Sequence, residues 1–177
     1  MMKEINTIPN LIQQFEEAPD EELASVLKRI NIPVDEFEEY ASWSKNSYTR
    51  NCIARTDEFE FILICWDTDA KTAIHGHDGQ DCWVHQVSGN IKERRYKNNE
   101  GDLSQYVARE LDEGKMVYMT DKMGFHSIEN ISGQRAMTLH VYASPIDECK
   151  VVTEDGNIEI KALSYDTNHT PDWKEAV

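Results

Sequence analysis

The sequence predicts a mainly β fold, a sandwich or barrel, with a helical cap at its N-terminus. From about residue 48 onward, short runs rich in β-branched and aromatic residues alternate with turn-forming groups at roughly even spacing, which is typical of all-β domains. Residues 1–40 carry apolar side chains at helical spacing instead. The apolar fraction of 40% is large enough for the chain to bury a real core.

The cap, residues 1–40, is predicted to contain three helices. Asn10 precedes the apolar residues of the first helix and is predicted as its N-cap, with Gln13 in the capping-box position. The second helix presents leucine, valine and isoleucine side chains on one face between residues 23 and 30. Asp35 is predicted to cap a short third helix. We expect this segment to pack on the body and to carry no chemistry.

The body, residues 45–162, contains a series of runs predicted as strands. In chain order they are YTRNCIAR, FEFILICW, CWVHQV, IKERRY, SQYVARE, MVYM, HSIEN and RAMTLHVY. Turn-forming groups such as DTDAK, HDGQD, KNNEGD, LDEGK and NISGQ separate them. Residues 163–177 form a polar tail that we expect to be loosely held. No repeat or composition shift marks a boundary, so we expect residues 1–177 to form one domain.

The charge balance excludes several classes of partner. Acidic residues outnumber basic ones 33 to 18, for a net charge of −15, which argues against nucleic acid and anionic membrane. No apolar run approaches the roughly 20 residues that a membrane span needs. The N-terminal segment is interrupted by charge and proline, and the four cysteines are widely spaced. We therefore expect a cytoplasmic protein with reduced thiols, and a monomer is the simplest state, although the sequence leaves the oligomeric state open.

The placement of the histidines is the most informative local feature. His75 and His77 are separated by one residue, so on a strand they would face the same side, roughly 6.6 Å apart along the backbone. Two such imidazoles can reach one metal ion, but an H-x-H pair alone is a weak signal. His126 follows about fifty residues later, in the run GFHSIEN. Three histidines do not by themselves identify the metal, because zinc hydrases use the same ligand set.

These residues carry a resemblance to a known family. The spacing from His75 to Gly89 resembles the first cupin motif, with Cys82 where most cupins have a metal-binding glutamate, and the spacing from Gly114 through His126 resembles the second. Three histidines without a carboxylate are the pattern of thiol dioxygenases, in particular of the cysteine dioxygenase family. The runs YTRN and TLHVY resemble that family's substrate-arginine strand and its Ser-x-His-x-Tyr strand, with threonine in place of serine.

The resemblance implies a cupin-type, jelly-roll-like β-barrel that holds one mononuclear non-haem iron(II) ion. It implies that the chain oxidises L-cysteine with O2 to cysteine sulfinic acid. The implied roles are metal binding by His75, His77 and His126, substrate binding by Arg50 and Tyr48, catalysis by Tyr142, His140, Thr138 and Cys82, and a thioether crosslink between Cys82 and Tyr142.

The alternation of strand residues is consistent with these roles. Thr138, His140 and Tyr142 occupy positions i, i+2 and i+4, so they share one face, where hydrogen bonds from hydroxyl to imidazole to phenol would orient the tyrosine. Tyr48 and Arg50 likewise share a face, and a guanidinium can grip a carboxylate with two parallel hydrogen bonds. Arg50 favours cysteine as the substrate, because relatives specialised for 3-mercaptopropionate tend to have glutamine there.

Two alternatives stay open. The run Ala143-Ser144-Pro145 places proline one position later than in mammalian family members, which leaves the choice between cysteine and close thiols such as 3-mercaptopropionate open. A non-catalytic metal-binding cupin is the alternative from a different class of protein. Such a binding module would not need Arg50 and the histidine–tyrosine strand together.

The remaining histidines and cysteines match no motif. We expect His85 and His169 to be solvated or locally hydrogen-bonded. Cys52 and Cys65 lie within apolar strand patterns, so we expect them to be small buried hydrophobic residues. Cys149 falls where some family members keep a cysteine near the pocket entrance, and its role is left open.

Overall fold

A computed structural model describes residues 3–99 and 102–170. The helices are α1 (Ile8–Glu16), α2 (Leu23–Leu27) and α3 (Val34–Glu38), with short 3-10 turns at Asp20–Glu22 and Asp121–Met123. The strands are β1 (Tyr48–Arg55), β2 (Glu60–Trp66), β3 (Ile74–His75), β4 (Cys82–Ser88), β5 (Ile91–Asn99), β6 (Asp102–Leu111), β7 (Met116–Met119), β8 (Phe125–Asn130), β9 (Ala136–Tyr142), β10 (Glu148–Val152), β11 (Ile158–Ala162) and β12 (Thr167–Asn168).

The described strands form two sheets. One has the order β12-β1-β2-β9-β4-β7 and the other the order β11-β10-β3-β8-β5-β6. The pairings are antiparallel except that of β12 with β1. The prediction of a mainly β, jelly-roll-like fold with an N-terminal helical cap is confirmed. The two sheets pack on each other without closing into one hydrogen-bonded barrel.

Strand β2 explains how the layers are held together, because it is buried on both faces. Phe61 and Leu63 belong to an apolar cluster shared with the helices, whereas Ile62, Ile64 and Trp66 belong to a second cluster shared with the other sheet. Successive side chains of a strand point to opposite faces, so a continuous apolar run is what a strand between two apolar layers requires. The first sheet therefore lies between the helical cap and the sheet that carries β3 and β8.

The cap packs through the apolar face of α1. The ring of Phe15 makes edge contacts with Phe61 and Trp83, at centroid distances of 5.2 and 6.5 Å. The prediction of Asn10 as the N-cap is wrong. Helix α1 begins earlier, with Thr7 as N-cap, and the Asn10 backbone N–H donates to Thr7 Oγ1 at 3.4 Å. Pro9 suits the first turn because its missing N–H would have no partner there.

Every run that was predicted as a strand in the body is a strand in the structure. In chain order these runs correspond to β1, β2 and β4–β9. Strands β3, β10, β11 and β12 were not predicted, because they are short or polar. The tail is not loosely held over residues 163–170: β12 pairs with β1, and the Asp166 backbone N–H donates to the Arg50 carbonyl oxygen at 2.8 Å. Residues 100–101 of the predicted KNNEGD turn and residues 171–177 of the predicted tail lie outside the described residues. Among the described helices, none has the length and apolar character needed to cross a bilayer.

Candidate metal centre

Three histidine side chains converge between the two sheets. One ring nitrogen from each of His75, His77 and His126 lies within 4.8 Å of the other two. His77 and His126 are buried, with 1% and 0% exposure, and their Nε2 atoms are 3.1 Å apart. The group contains three nitrogen donors and no carboxylate. Its donor set and spacing suit a single transition-metal ion.

Strand pairing and a short loop bring the three rings together. His75 ends β3 and lies directly opposite His126 of β8. His77 follows in a loop whose backbone is held by Asp121, because the carboxylate of Asp121 accepts from the N–H groups of His77 and Gly79 at 2.7 and 2.8 Å. A Cβ atom at Gly76 would lie 3.2 Å from that carboxylate, so glycine between the two histidines leaves room for the loop contact.

Burial keeps the three imidazoles neutral. It lowers the pKa of His75, and it lowers the pKa values of His77 and His126 well below their usual range, with the neighbouring histidines adding to the effect. Neutral imidazoles offer the lone pairs that a metal ion requires. His75 Nδ1 lies 3.0 Å from the Ala73 carbonyl oxygen and therefore carries a proton, which leaves its Nε2 free as a ligand.

Arg50 lines a cavity of about 300 Å³ next to these histidines. Its Nε and Nη2 atoms are buried and have no hydrogen-bond partner among the described residues. Tyr48 lines the same cavity, and its ring packs against Trp66 at a centroid distance of 5.2 Å. A buried guanidinium without a partner is costly, so this arrangement indicates a site for an anion. The structure thus brings Arg50 and Tyr48 to the cavity that His75 lines.

The hydrogen bonds along β9 differ in part from the prediction. Thr138 Oγ1 lies 3.0 Å from His140 Nε2, as expected. His140 Nδ1 is buried without a partner in the described part of the chain, so the predicted bond from this imidazole to the Tyr142 phenol is not formed. The sequence analysis missed Trp66, whose Nε1–H donates to Thr138 Oγ1 at 2.9 Å. The Thr138 hydroxyl accepts this bond and still has its own proton available for His140 Nε2.

Tyr142 and Cys82 meet beside the histidines. They are directly opposed in the pairing of β9 with β4, and the Tyr142 ring lies 5.8 Å from that of His77. Burial raises the pKa of both the Cys82 thiol and the Tyr142 phenol, so both carry their protons. Six of the nine residues singled out for the site line the cavity: Tyr48, Arg50, His75, His77, His140 and Tyr142. His126, Thr138 and Cys82 lie behind them, next to His77, His140 and Tyr142 respectively.

The other histidines and cysteines have different environments. His85 is buried, with 8% exposure, which corrects the expectation of a solvated side chain, and burial lowers its pKa to about 4. His169 is exposed and hydrogen-bonded locally, with Nε2 3.1 Å from Thr167 Oγ1. Cys52 and Cys65 are buried as predicted, and Cys149 lines the cavity.

Two further residues beside the centre were missed in the sequence. Asp121 holds the loop of His77, and the buried carboxylate of Glu93 lies 3.0 Å from Nδ1 of His126. The sequence contains a pattern that indicates a buried Glu93. In the run IKERRY, alternation places Glu93 on the inward face of β5 with Ile91 and Arg95. A charged residue on the inward face of a strand needs a buried partner. Asp121 left no such pattern, because its role depends on a loop contact 44 residues away in the chain.

Comparisons with known proteins agree with this geometry. The family model "Cysteine dioxygenase type I" matches residues 2–155. Curated relatives include cysteine dioxygenase type 1 of Homo sapiens, 30% identical over 136 residues, which span 73% of this chain and 67% of the human protein. The Bos taurus protein of the same name is 31% identical over 141 residues, which span 76% of this chain and 70% of the relative.

Solved structures show similarity at the level of the fold. A Klebsiella pneumoniae protein described as having a double-stranded β-helix domain superposes with a TM-score of 0.51 and 16% identity, covering 71% of this chain and 87% of the other. A Thermus thermophilus protein gives a TM-score of 0.50 at 16% identity, covering 61% of this chain and 93% of the other. With the family match and the three-histidine centre together, this chain belongs to the cysteine dioxygenase type I family.

Proposed function

We propose that this protein is an iron(II)-dependent dioxygenase that oxidises L-cysteine with O2 to cysteine sulfinic acid. One observation carries the proposal: a group of three histidine donors, two of which line the cavity, lies beside an arginine that lines the same cavity with two buried, unpartnered nitrogens. A metal ion and a carboxylate-bearing ligand fit that combination. The names of the curated relatives support cysteine and O2 as the reactants.

The donor set supports iron as the metal. Iron(II) oxygenases commonly use two histidines and one carboxylate. Here a third histidine replaces the carboxylate, so a bound divalent ion would keep its full positive charge, which favours an anionic thiolate as a further ligand. Iron(II) held by His75, His77 and His126 would supply the redox chemistry by which both atoms of O2 are added to the substrate sulfur.

Arg50 is the proposed carboxylate-binding residue. Its buried Nε and Nη2 atoms can donate two parallel hydrogen bonds to the α-carboxylate of cysteine. Its backbone is fixed from the other side, because its N–H donates to Asp166 Oδ2 at 2.8 Å. Strand β1 is thereby held between β2 and the segment around Asp166, and Tyr48 on the same face of β1 can contribute a further hydrogen bond. Binding at Arg50 would fix the position of the thiol relative to the three histidines.

Tyr142 and His140 are the proposed polar groups contributed by β9, which lies in the same sheet as the strand of Arg50, with β2 between them. Burial lowers the pKa of His140 to about 3, so its ring stays neutral. The ring lines the cavity, and its buried Nδ1 has no partner among the described residues. The protonated Tyr142 phenol can donate a hydrogen bond to an oxygen that is being transferred to sulfur. Trp66 and Thr138 maintain the orientation of His140 by their chain of hydrogen bonds.

Cys82 and Tyr142 are proposed to become joined by a thioether. The bond forms between the Cys82 sulfur and the ring carbon next to the phenol, as the thiol and that carbon each lose one hydrogen. O2 accepts both hydrogens and both electrons, giving hydrogen peroxide. The crosslink would fix the phenol and remove a thiol that could compete for the metal, so it would assist turnover without being essential.

The proposal is tested by measuring O2 consumption by iron-loaded protein with L-cysteine, 3-mercaptopropionate and cysteamine. We expect the highest kcat/KM with L-cysteine and the formation of cysteine sulfinic acid in a one-to-one ratio to O2. Faster turnover of 3-mercaptopropionate would instead identify a mercaptocarboxylate dioxygenase. Absence of O2 uptake with every thiol, in protein that contains stoichiometric iron, would identify a non-catalytic metal-binding cupin.

A cytoplasmic location is also proposed. All four cysteines are buried and unpaired, which is consistent with a reducing compartment. Fractionation of the source cells with an antibody to the protein tests this, and recovery outside the cytoplasmic fraction would contradict it.

A further inference from the structure

Glu93 is a fully buried carboxylate next to a metal-binding histidine. It lies on β5 with 0% exposure, and its Oε1 is 3.0 Å from Nδ1 of His126. On the other side of the same imidazole, Nε2 is the atom that faces His77 at 3.1 Å. The carboxylate and the candidate metal position therefore lie at opposite ends of one ring.

Two arginines pair with the carboxylate of Glu93. Nε of Arg95 lies 3.1 Å from Oε1, and Nε of Arg109 lies 2.8 Å from Oε2. Arg95 is itself anchored, because it is buried and its Nη2 donates to the Tyr118 carbonyl oxygen at 2.6 Å. Each oxygen of the buried carboxylate thus faces a guanidinium nitrogen, and both pairs come from neighbouring positions of β5 and β6.

A carboxylate whose two oxygens face arginines acts as the acceptor in its contact with His126, and this decides the tautomer of the imidazole. The ring proton must lie on Nδ1, where Glu93 accepts it, so the lone pair lies on Nε2 and is directed at the candidate metal position. The other ligand with an identified Nδ1 contact, His75, uses the neutral carbonyl of Ala73. Of the hydrogen-bond partners described for the three ligand rings, Glu93 is the one with an acidic side chain.

We propose that Glu93 is a positioning residue of the metal centre, which holds His126 in the orientation and tautomer that metal binding requires. This inference rests on the proposed function in that His126 is taken as a ligand. It adds a group outside the ligand set that determines how strongly the set binds. Arg95 and Arg109 act through Glu93 by pairing with its carboxylate.

The chain offers a matched control in Glu129. Like Glu93 it forms an ion pair with an arginine of β5, with Oε2 2.6 Å from Nη1 of Arg94. It lies three residues beyond His126 on β8 but is about one-third exposed and does not contact the imidazole. Glu129→Gln therefore removes a carboxylate and an arginine pair from the same two strands while leaving the tautomer of His126 unaffected.

Two measurements test the proposal in Glu93→Gln. Glutamine has nearly the same shape, but it offers both a donor and an acceptor, so it no longer selects one tautomer. The first measurement is the Fe2+ dissociation constant under anaerobic conditions, by competition with a chromophoric chelator. The second is the ring tautomer of His126 in metal-free, 15N-labelled protein, by two-bond 1H–15N spectroscopy.

We expect Glu93→Gln to bind Fe2+ about 10–100-fold more weakly. We also expect it to lose the single Nδ1–H tautomer, whereas Glu129→Gln matches the wild type in both respects. Affinity within threefold of the wild type would overturn the proposal. So would weaker binding with the tautomer unchanged, because that combination indicates a purely structural ion pair.

Glu93→Asp and the wild type keep the test decisive if Glu93→Gln does not fold. Aspartate also accepts only, so Glu93→Asp is expected to retain the Nδ1–H tautomer, and a wild-type His126 protonated on Nε2 would overturn the proposal. The tautomer is read without metal or turnover. Failure of the wild type to bind Fe2+ or to oxidise cysteine would therefore count against the proposed function and not against the contact between Glu93 and His126.

Discussion

Cys82 and Tyr142 face each other directly across the pairing of β4 with β9, and the Tyr142 ring lies 5.8 Å from that of His77. Directly opposed residues of an antiparallel pair have their Cβ atoms about 5 Å apart, which lets a sulfur reach a neighbouring ring. The register of two strands has thus brought a thiol and a phenol together next to a candidate metal position. Both remain protonated, because burial raises the pKa of each.

The first prediction concerns the crosslink between these residues. We expect protein exposed to iron, cysteine and O2 to lose two hydrogens by intact mass, because a thioether replaces one S–H and one C–H bond. Peptide mapping should locate the loss on Cys82 joined to Tyr142. Cys82→Ala should show no mass change and keep a reduced rate, whereas Tyr142→Phe should lose more activity. Turnover without a mass change, with Cys82 still freely alkylated, would contradict the crosslink.

The second prediction concerns the metal ligands. We expect His75→Ala, His77→Ala and His126→Ala each to lower bound iron severely and to abolish turnover, because two imidazoles alone cannot hold the ion against buffer. Elemental analysis of the purified variants measures this. His169→Ala is the control, since that histidine is exposed and lies outside the group. Full iron content with normal activity in any of the three would exclude that residue as a ligand.

The third prediction concerns Arg50. Arg50→Ala removes the charged partner of the substrate carboxylate, a loss of about 2–5 kcal/mol for a buried pair. We expect a strongly raised KM for cysteine and a much smaller effect on cysteamine, which has no carboxylate. Steady-state O2 consumption with both thiols provides the comparison. Equal losses for the two would show that Arg50 supports the structure and does not bind the carboxylate.

The fourth prediction concerns His85, which is buried and distinct from the candidate metal ligands. Above pH 6.5 or so its ring is neutral in both the folded and the unfolded chain and adds no pH dependence. Below that, the unfolded chain takes up a proton that the folded protein resists until about pH 4, so the free energy of unfolding falls through this window. His85→Leu should remove this loss.

The comparison of His85→Leu with the wild type is made by urea denaturation at two pH values. We compare the unfolding free energy of the variant minus that of the wild type at the two pH values. As the pH is lowered from about 7.5 to about 4.5, this difference should rise by roughly 2–3 kcal/mol, because only the wild type loses stability through His85. Groups that titrate in both proteins cancel in this difference. A difference that stays constant with pH would show that His85 does not stay neutral in the folded state.

The fifth prediction concerns Gly124, which lies two residues before His126. Its φ is +95°, and a Cβ atom would lie 2.2 Å from the Tyr96 carbonyl oxygen. Backbone strain at positive φ alone costs about 1–3 kcal/mol. We expect Gly124→Ala to lower the free energy of unfolding by more than this, since steric overlap with the Tyr96 carbonyl oxygen adds to the strain. Gly133→Ala is the control, with a positive φ and nothing within 4 Å. Equal thermal shifts for both variants would contradict the close approach.

The sequence by itself determined the strands of the body and the residues of the candidate site. Strand alternation is a local property, so the runs of β1 and β9 already placed Arg50 with Tyr48, and Thr138 with His140 and Tyr142. The spacing around His75, His77 and His126 carried the family resemblance in the same way. The strand faces could be predicted because each depends on residues close together in the chain, whereas His126, 49 residues after His77, was identified through the spacing of the family motifs.

Only the tertiary structure decided which of these residues meet and what supports them. The pairing of β3 with β8 places His75 against His126, although neither strand's own pattern specifies its partner. Glu93 and Asp121 reach the centre from other elements, and the return of residues 163–170 onto β1 depends on pairing across more than a hundred residues. Such contacts depend on the register and packing of distant segments, which local side-chain periodicity does not encode.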